Sequence, residues 1–78
     1  MRIPRAISAD RLIRALEQLG YKIVRQKGSH VRLRRDGSNP HMVSVPRHNP
    51  LKFGTARGIL TEVASELKIT VDEITDLL

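Results

Sequence analysis

The segment that most constrains the fold is residues 30–35, HVRLRR, in which apolar and polar side chains alternate. A period of two predicts a β-strand that buries one face and exposes the other. Two more short runs with strand-like composition lie nearby, YKIVRQ at residues 21–26 and HMVSV at residues 41–45. Turn signals separate the three runs, a Gly-Ser pair before HVRLRR and DGSNP after it. The pattern therefore predicts a three-stranded antiparallel sheet with tight connections.

Amphipathic helices are predicted on both sides of this sheet segment in the sequence. Ser8 is a good N-cap for a first helix that runs to about Leu19, and Gly20 is a good C′ stop. Thr55 is the expected N-cap of the second helix, because an apolar stripe at helical spacing follows it. TVDE at residues 70–73 is a capping box that predicts a short last helix.

These elements predict one small α+β domain over residues 1–78, with the order α-β-β-β-α and a short extra C-terminal helix. Two helices with one apolar stripe each can cover one face of the three-stranded antiparallel sheet and leave the other face open. Tyr21, Phe53 and Met42 are expected to pack in the core or at its edge. A domain of this size has no room for a deep substrate cavity, so a large substrate must lie on the surface.

The charge distribution indicates a polyanionic partner. The net charge is +6, and residues 1–60 carry 13 Lys and Arg against three acidic residues. The last 18 residues, 61–78, carry five acidic residues against Lys68. A strongly basic body is typical of proteins that bind nucleic acid, although a charged surface can also serve solubility alone. Ten of the 14 cations are arginines, whose planar group suits bidentate contact with phosphate.

Several classes of protein are disfavoured by what the chain lacks. There is no cysteine, which excludes disulfides and fits a cytoplasmic location. No apolar run approaches the roughly 20 residues that span a bilayer, and no stretch resembles a signal peptide, so no membrane association is expected. The three histidines, His30, His41 and His48, do not have metal-ligand spacing. We therefore predict no metal site and no small-molecule cofactor.

The placement of His30 is the main functional clue. If Val31 and Leu33 point to the core, His30, Arg32 and Arg34 share the open face of the sheet, about 6.6–6.8 Å apart along the strand. RNA cleavage needs a base, cations around the phosphate and an acid or water for the leaving group, because RNA carries its own nucleophile, the 2′-OH. A histidine beside arginines meets these needs without a cavity. His30 is thus a candidate catalytic residue, although a surface histidine after a hairpin turn would look the same.

Other side chains are candidates for binding RNA phosphates. The backbone amides of Gly28 and Ser29 and the Ser29 hydroxyl could hold a phosphate oxygen, and Lys27 precedes them. Lys52 and Arg57 flank the predicted start of the second helix, which is a favourable position for an anion. An ordinary capped helix would have the same sequence there. His48, in the PRHNP loop, is a possible second participant, but a loop-surface histidine is the simpler interpretation.

Three stretches resemble the HicA family of prokaryotic type II toxin–antitoxin systems. They are LIRALEQLGY at residues 12–21, RQKGSHVRLRR at 25–35 and VSVPRHNPLKFGTARGIL at 43–60. The Gly-Ser-His block followed by VP.H and GT.R.IL is more specific than any single piece. The N-terminal MRIPRAI and the acidic tail after Leu67 extend beyond the shortest family members.

The resemblance implies a fold similar to the double-stranded-RNA-binding domain and an mRNA interferase, an endoribonuclease that acts without a ribosome or a metal. It also implies that the active histidine is His30 and that a cognate HicB-type antitoxin covers the active surface. The RNA-binding residues expected on this basis are Lys27, Gly28, Ser29, Arg32, Arg34, Lys52 and Arg57. Two alternatives stay open, a non-catalytic double-stranded-RNA-binding module and a domain whose basic face binds an acidic protein.

Overall fold

The computed structural model describes residues 3–78, and Met1 and Arg2 lie outside the described residues. The three strands form one antiparallel sheet in the order β1-β2-β3. The elements along the chain are α1 (Ala9–Gln18), β1 (Tyr21–Lys27), β2 (His30–Arg35), β3 (His41–Pro46), α2 (Phe53–Leu67) and α3 (Val71–Thr75). The predicted α+β fold, α-β-β-β-α with a short C-terminal helix, is confirmed.

The predicted ends of α1 and the start of α3 are also confirmed. The Ser8 hydroxyl accepts a hydrogen bond from the Arg11 backbone N–H at 3.1 Å, which caps α1. Gly20 has a φ of 99°, the left-handed backbone that ends a helix at little cost when the residue is glycine. The Thr70 hydroxyl accepts from the Glu73 N–H at 3.1 Å and caps α3. Over residues 3–78, none of the helices has the length and apolar character needed to cross a bilayer.

The predicted start of α2 is wrong by three residues. α2 begins at Phe53, and Lys52 rather than Thr55 occupies the N-cap position, without a side-chain capping bond. The cause lies one residue earlier, at Leu51, which is 3% exposed and whose backbone N–H donates to the Ile7 carbonyl at 2.8 Å. Because this contact fixes the chain just before Lys52, the helix can start at once.

The core lies between one face of the sheet and the two long helices. Burial along β2 alternates, since Val31 and Leu33 are fully buried while His30, Arg32 and Arg34 are exposed. Each long helix buries one apolar stripe, which consists of Ala9, Leu12, Ile13, Ala15 and Leu16 on α1 and of Ala56, Ile59, Leu60, Val63 and Ala64 on α2. Leu19 and Leu67, at the ends of the two helices, are partly buried. The buried side chains that face each other across this layer include Leu12, Leu16, Val31, Leu33, Val43, Val45, Leu60 and Val63.

The aromatic and methionine side chains divide between core and surface. Tyr21 is 1% exposed, which confirms its predicted burial. The same prediction is wrong for Phe53 and Met42, which are 46% and 44% exposed. Phe53 is the first residue of α2, before the buried stripe begins, and Met42 lies between Val43 and His41 on a strand whose alternate side chains point outward.

Both terminal segments pack on the domain. Ile7 is 3% exposed and belongs to the core, and Ile3 packs against it. At the other end Val71 and Ile74 of α3 are buried, and Arg11 donates from Nη2 to the backbone oxygen of Leu78 at 2.9 Å. The tail after Leu67 therefore closes one end of the hydrophobic core and joins it to α1.

Candidate functional site

The sheet face opposite the helices carries most of the cations of the sheet. Residues directly opposite each other in an antiparallel sheet point to the same side. Starting from the exposed side of β2, the cross-strand register therefore assigns the neighbours of His30, Arg32 and Arg34 to that side. We call this side the open face; it consists of Lys22, Arg25, Lys27, His30, Arg32, Arg34, Met42, Ser44 and Pro46.

A β-bulge in β1 decides which side chains of that strand reach the open face. The register shifts between Ile23 and Arg25, so that Ile23 pairs with Leu33 but Arg25 pairs with Arg32. The bulge inserts one extra residue, Val24, on the edge strand of the sheet, where bulges are common. As a result Arg25 and Lys27, which strict alternation from Tyr21 would direct to the helix side, share the open face with His30.

His30 lines an open depression of about 650 Å³ at the turn end of the open face. The side chain is exposed, and Lys27 is its direct cross-strand neighbour. The depression is lined by Arg25, Lys27, Gly28, Ser29, His30, Arg32 and Ser44. A histidine thus lies among three cations and two serines in a place that a surface-bound RNA or peptide chain can reach.

Gly28 and Ser29 form the two-residue turn between β1 and β2. Gly28 has a φ of 57°, which only glycine adopts without strain, and a Cβ there would meet no atom within 4 Å. The Ser29 carbonyl accepts a hydrogen bond from the Arg47 N–H, which joins the turn to the loop after β3. Arg47 in turn donates from Nε to Asp10 Oδ1 at 3.1 Å, so the turn is tied through this loop to α1.

The other predicted site residues lie outside the depression. Arg34 is on the open face, two residues along β2 from Arg32, and its Nε donates to Asp36 at 2.8 Å. Lys52 and Arg57 are exposed at the start of α2, and neither lines the depression. His48 is exposed in the loop after β3 and does not line it either. The structure therefore groups Lys27, Gly28, Ser29 and Arg32 around His30, and separates Lys52 and Arg57 from them.

A second polar cluster, away from the open face, links the sheet to α2. The Tyr21 hydroxyl lies 2.6 Å from Nδ1 of His41, and Nε2 of His41 lies 2.9 Å from Oε2 of Glu62. A neutral imidazole protonated on Nε2 accepts from the tyrosine and donates to the carboxylate. The Tyr21 and His41 rings also meet edge to face, with centroids 5.8 Å apart. These two hydrogen bonds connect β1, β3 and α2, and their role is to stabilise the fold.

The Tyr21 cluster predicts a loss of stability in alkaline solution. Burial raises the pKa of Tyr21 above its ordinary value; the Arg35 guanidinium opposes this, and the carboxylates of Glu66 and Glu62 add to it. The stabilisation from the protonated phenol is therefore complete below the unfolded pKa of about 10 and is lost as the pH rises through the higher folded pKa. Because Tyr21 is the only tyrosine, tyrosinate absorbance follows it directly.

We expect Tyr21→Phe to lower the free energy of unfolding by about 1 kcal/mol at neutral pH, because His41 loses a partner. The variant should also show a flatter dependence of stability on pH in the alkaline range, measured by urea denaturation at a series of pH values. A tyrosine that titrates in the folded protein as it does after unfolding would contradict the prediction.

Comparison with known proteins shows the family to which this protein belongs. Residues 9–64 match the family model described as HicA toxin of bacterial toxin–antitoxin. The match covers α1, the whole sheet and most of α2, which is more than half of the chain. This protein belongs to the HicA toxin family. The same comparisons find no significant match among curated proteins or among solved structures.

Membership in the HicA toxin family assigns the chain to bacterial toxin–antitoxin systems, in which such a toxin is paired with an antitoxin. The matched region includes every residue that lines the depression, while the segment before residue 9 and all of α3 lie outside it.

Within residues 3–78, no group of three or more His, Asp or Glu side chains is arranged to hold a metal ion.

Sequence reasoning missed two cations of the open face, Arg25 and Lys22. The signal for Arg25 was present, because a two-residue turn pairs Lys27 with His30 and therefore Arg25 with Arg32. That register conflicts with a buried Tyr21 unless one residue is extra in β1, and the bulge resolves the conflict. Lys22 lies at the far end of the open face, opposite Arg34.

Proposed function

We propose that this HicA-family protein is an mRNA interferase, an endoribonuclease that cleaves RNA through attack of the 2′-OH without a metal. The observation that carries the proposal is the exposed His30 in an open depression with Arg25, Lys27 and Arg32. None of these four side chains has a hydrogen bond or ion pair within residues 3–78. All four are therefore available to a bound polyanion.

The reaction that fits this arrangement is an internal transesterification. His30 takes the proton of the 2′-OH, the O2′–P bond forms, and the P–O5′ bond breaks. The departing 5′-oxygen receives a proton from water or from the protonated imidazole, and the products are a 2′,3′-cyclic phosphate and a 5′-OH. Lys27, the cross-strand neighbour of His30, is placed to offset the charge that builds on the phosphate oxygens.

The remaining predicted residues would bind the RNA backbone on either side of the reacting phosphate or farther along it. Arg32 and Arg34 continue the row of cations along β2, and the turn of Gly28 and Ser29 offers backbone amides and a hydroxyl beside His30. Lys52 and Arg57 would contact a different part of the RNA from the start of α2. A cognate HicB-type antitoxin with an acidic surface would inhibit the toxin by covering the open face.

The chemistry of the products tests this proposal. Purified protein is incubated in EDTA with a single-stranded RNA and with the same RNA carrying 2′-O-methyl groups throughout. We expect cleavage of the first RNA only, with 2′,3′-cyclic phosphate and 5′-OH ends, because the methyl group blocks the nucleophile. Cleavage of both RNAs, cleavage that EDTA abolishes, or other end groups would contradict the proposed mechanism.

The rival function is a non-catalytic double-stranded-RNA-binding module. The exposed cations at the start of α2, apart from the depression, are the observation that favours it. It predicts duplex binding that weakens steeply with salt and no cleavage of any RNA. It also predicts that expression does not arrest growth.

A further inference from the structure

Arg25 and Arg32 stand directly opposite each other on neighbouring strands. Their Cβ atoms are therefore only about 4.5–5.5 Å apart, and like charges in this position destabilise a sheet. Four other arginines of the domain are compensated within residues 3–78. Arg34 and Arg47 form ion pairs with Asp36 and Asp10, and Arg11 and Arg35 donate to backbone oxygens.

Arg25 and Arg32 have no such compensation in the described part of the chain. Arg5, Arg14 and Arg57 also lack a partner there, but none of these three belongs to a cross-strand pair or lines the depression. The two-residue turn sets this pair, and the bulge at Val24 allows it to coexist with a buried Tyr21 at the other end of β1. The fold therefore places two unpaired guanidinium groups side by side at a cost.

A phosphate between the two guanidinium groups would remove that cost. Each planar guanidinium can donate two hydrogen bonds to phosphate oxygens, so a pair can hold one phosphate from both sides. Arg32 lies two residues from His30 on the same strand face, about 6.6–6.8 Å away along the strand. At this separation, the phosphate between the two arginines would be the neighbour, along the RNA strand, of the phosphate beside His30.

We propose that Arg25 and Arg32 together bind the phosphate adjacent to the scissile one, with Arg25 as a further substrate-binding residue. The proposal rests on the proposed function, since it takes single-stranded RNA as the ligand. It assigns different roles to neighbouring cations. Lys27, opposite His30, acts on the reacting phosphate, whereas the arginine pair holds the chain on one side of it.

The test measures binding of a 12-nucleotide single-stranded RNA with 2′-O-methyl groups throughout, by fluorescence anisotropy. The proteins are wild type, Arg25→Ala, Arg32→Ala, the double variant and Arg14→Ala. Arg14 is the matched control, because it is an exposed, unpaired arginine on α1. We expect Arg25→Ala and Arg32→Ala each to weaken binding about tenfold, the loss of one charge-assisted contact, and Arg14→Ala to change it less than twofold.

The double variant tests whether both groups hold one phosphate. We expect its loss to be smaller than the product of the two single losses, because the second substitution removes a contact already weakened. Multiplicative losses would overturn the shared phosphate. If Arg25→Ala bound the RNA as well as Arg14→Ala, Arg25 would not be an RNA-binding residue. The same would follow if Arg25→Ala lost binding to an antitoxin but bound the RNA like wild type.

Two further readouts separate this role from others. The melting temperature of Arg25→Ala should not fall, because removal of a like charge opposite Arg32 relieves repulsion; a clear fall would indicate a structural role. On cleavable RNA the variant should raise KM with little change in kcat, as expected for a contact made equally in substrate and transition state. Since the methylated RNA cannot react, Arg25-dependent binding without cleavage of normal RNA would reject the proposed function. It would retain the arginine pair as a phosphate-binding site for single-stranded RNA.

Discussion

Replacement of His30 by alanine is expected to lower the rate of RNA cleavage by about 10²–10⁴-fold, the usual contribution of a general acid–base group. Binding of the methylated RNA should change by less than threefold, because His30 is one side chain among several that line the depression. The measurement is single-turnover cleavage in EDTA, with anisotropy for binding. The expected difference between the two effects is what distinguishes a catalytic residue from a contact.

His48→Ala is the matched control for His30→Ala. Both histidines are exposed, but His48 lies in the loop after β3 and does not line the depression. We expect the control to cleave at close to the wild-type rate. In cells, induction of wild type and of His48→Ala should arrest growth, while His30→Ala should not. Equal cleavage by wild type and His30→Ala would remove His30 from the mechanism, and parallel loss of cleavage and binding would make it a contact residue.

Replacement of Leu33 by alanine is expected to destabilise the fold by about 2–5 kcal/mol, the range for truncation of a buried leucine. Leu33 lies in the middle of the central strand, between Arg32 and Arg34 in the sequence, and its side chain is fully buried on the core side of the sheet. A small domain has only about 5–15 kcal/mol of stability, so the variant should lose a large fraction of it. Urea denaturation followed by circular dichroism measures the change.

Ile23→Ala is the control for Leu33→Ala. Ile23 is the direct cross-strand neighbour of Leu33, but it lies on the edge strand and is 43% exposed. Because much of its side chain already contacts water, we expect a loss of about 1 kcal/mol or less. Equal losses for the two variants would mean that the central strand does not supply the core as the structure describes. RNA cleavage by the folded fraction should be unchanged in both, since neither side chain is on the open face.

Local patterns in the sequence were sufficient to predict most of the framework. The strand at residues 30–35 has the predicted bounds, because alternation of valine and leucine with longer polar side chains leaves one orientation that buries the apolar ones. Ser8, Gly20 and Thr70 act at helix ends as predicted, since capping depends on a few neighbouring residues.

Contacts between distant residues were not predictable from local patterns. Thr55 is a good capping residue, yet α2 starts at Phe53 because Leu51 is fixed by a hydrogen bond to Ile7, 44 positions earlier in the chain. The chain of hydrogen bonds from Tyr21 through His41 to Glu62 joins three elements and has no signature in any one of them. Likewise, the pattern of residues 52–57 predicted an anion site, but only the fold shows that it is separate from the depression around His30.

The amino-acid sequence by itself determined that His30, Arg32 and Arg34 share an uncovered side of the sheet, because the pleat of a strand sorts side chains by a rule that involves only neighbours. Only the tertiary structure decided that Arg25 joins them. A buried Tyr21 at one end of β1 and the Gly28-Ser29 turn at the other demand opposite orientations of the same strand, and the extra residue at Val24 satisfies both. That compromise depends on the core and the turn acting together, which no single stretch of the sequence contains.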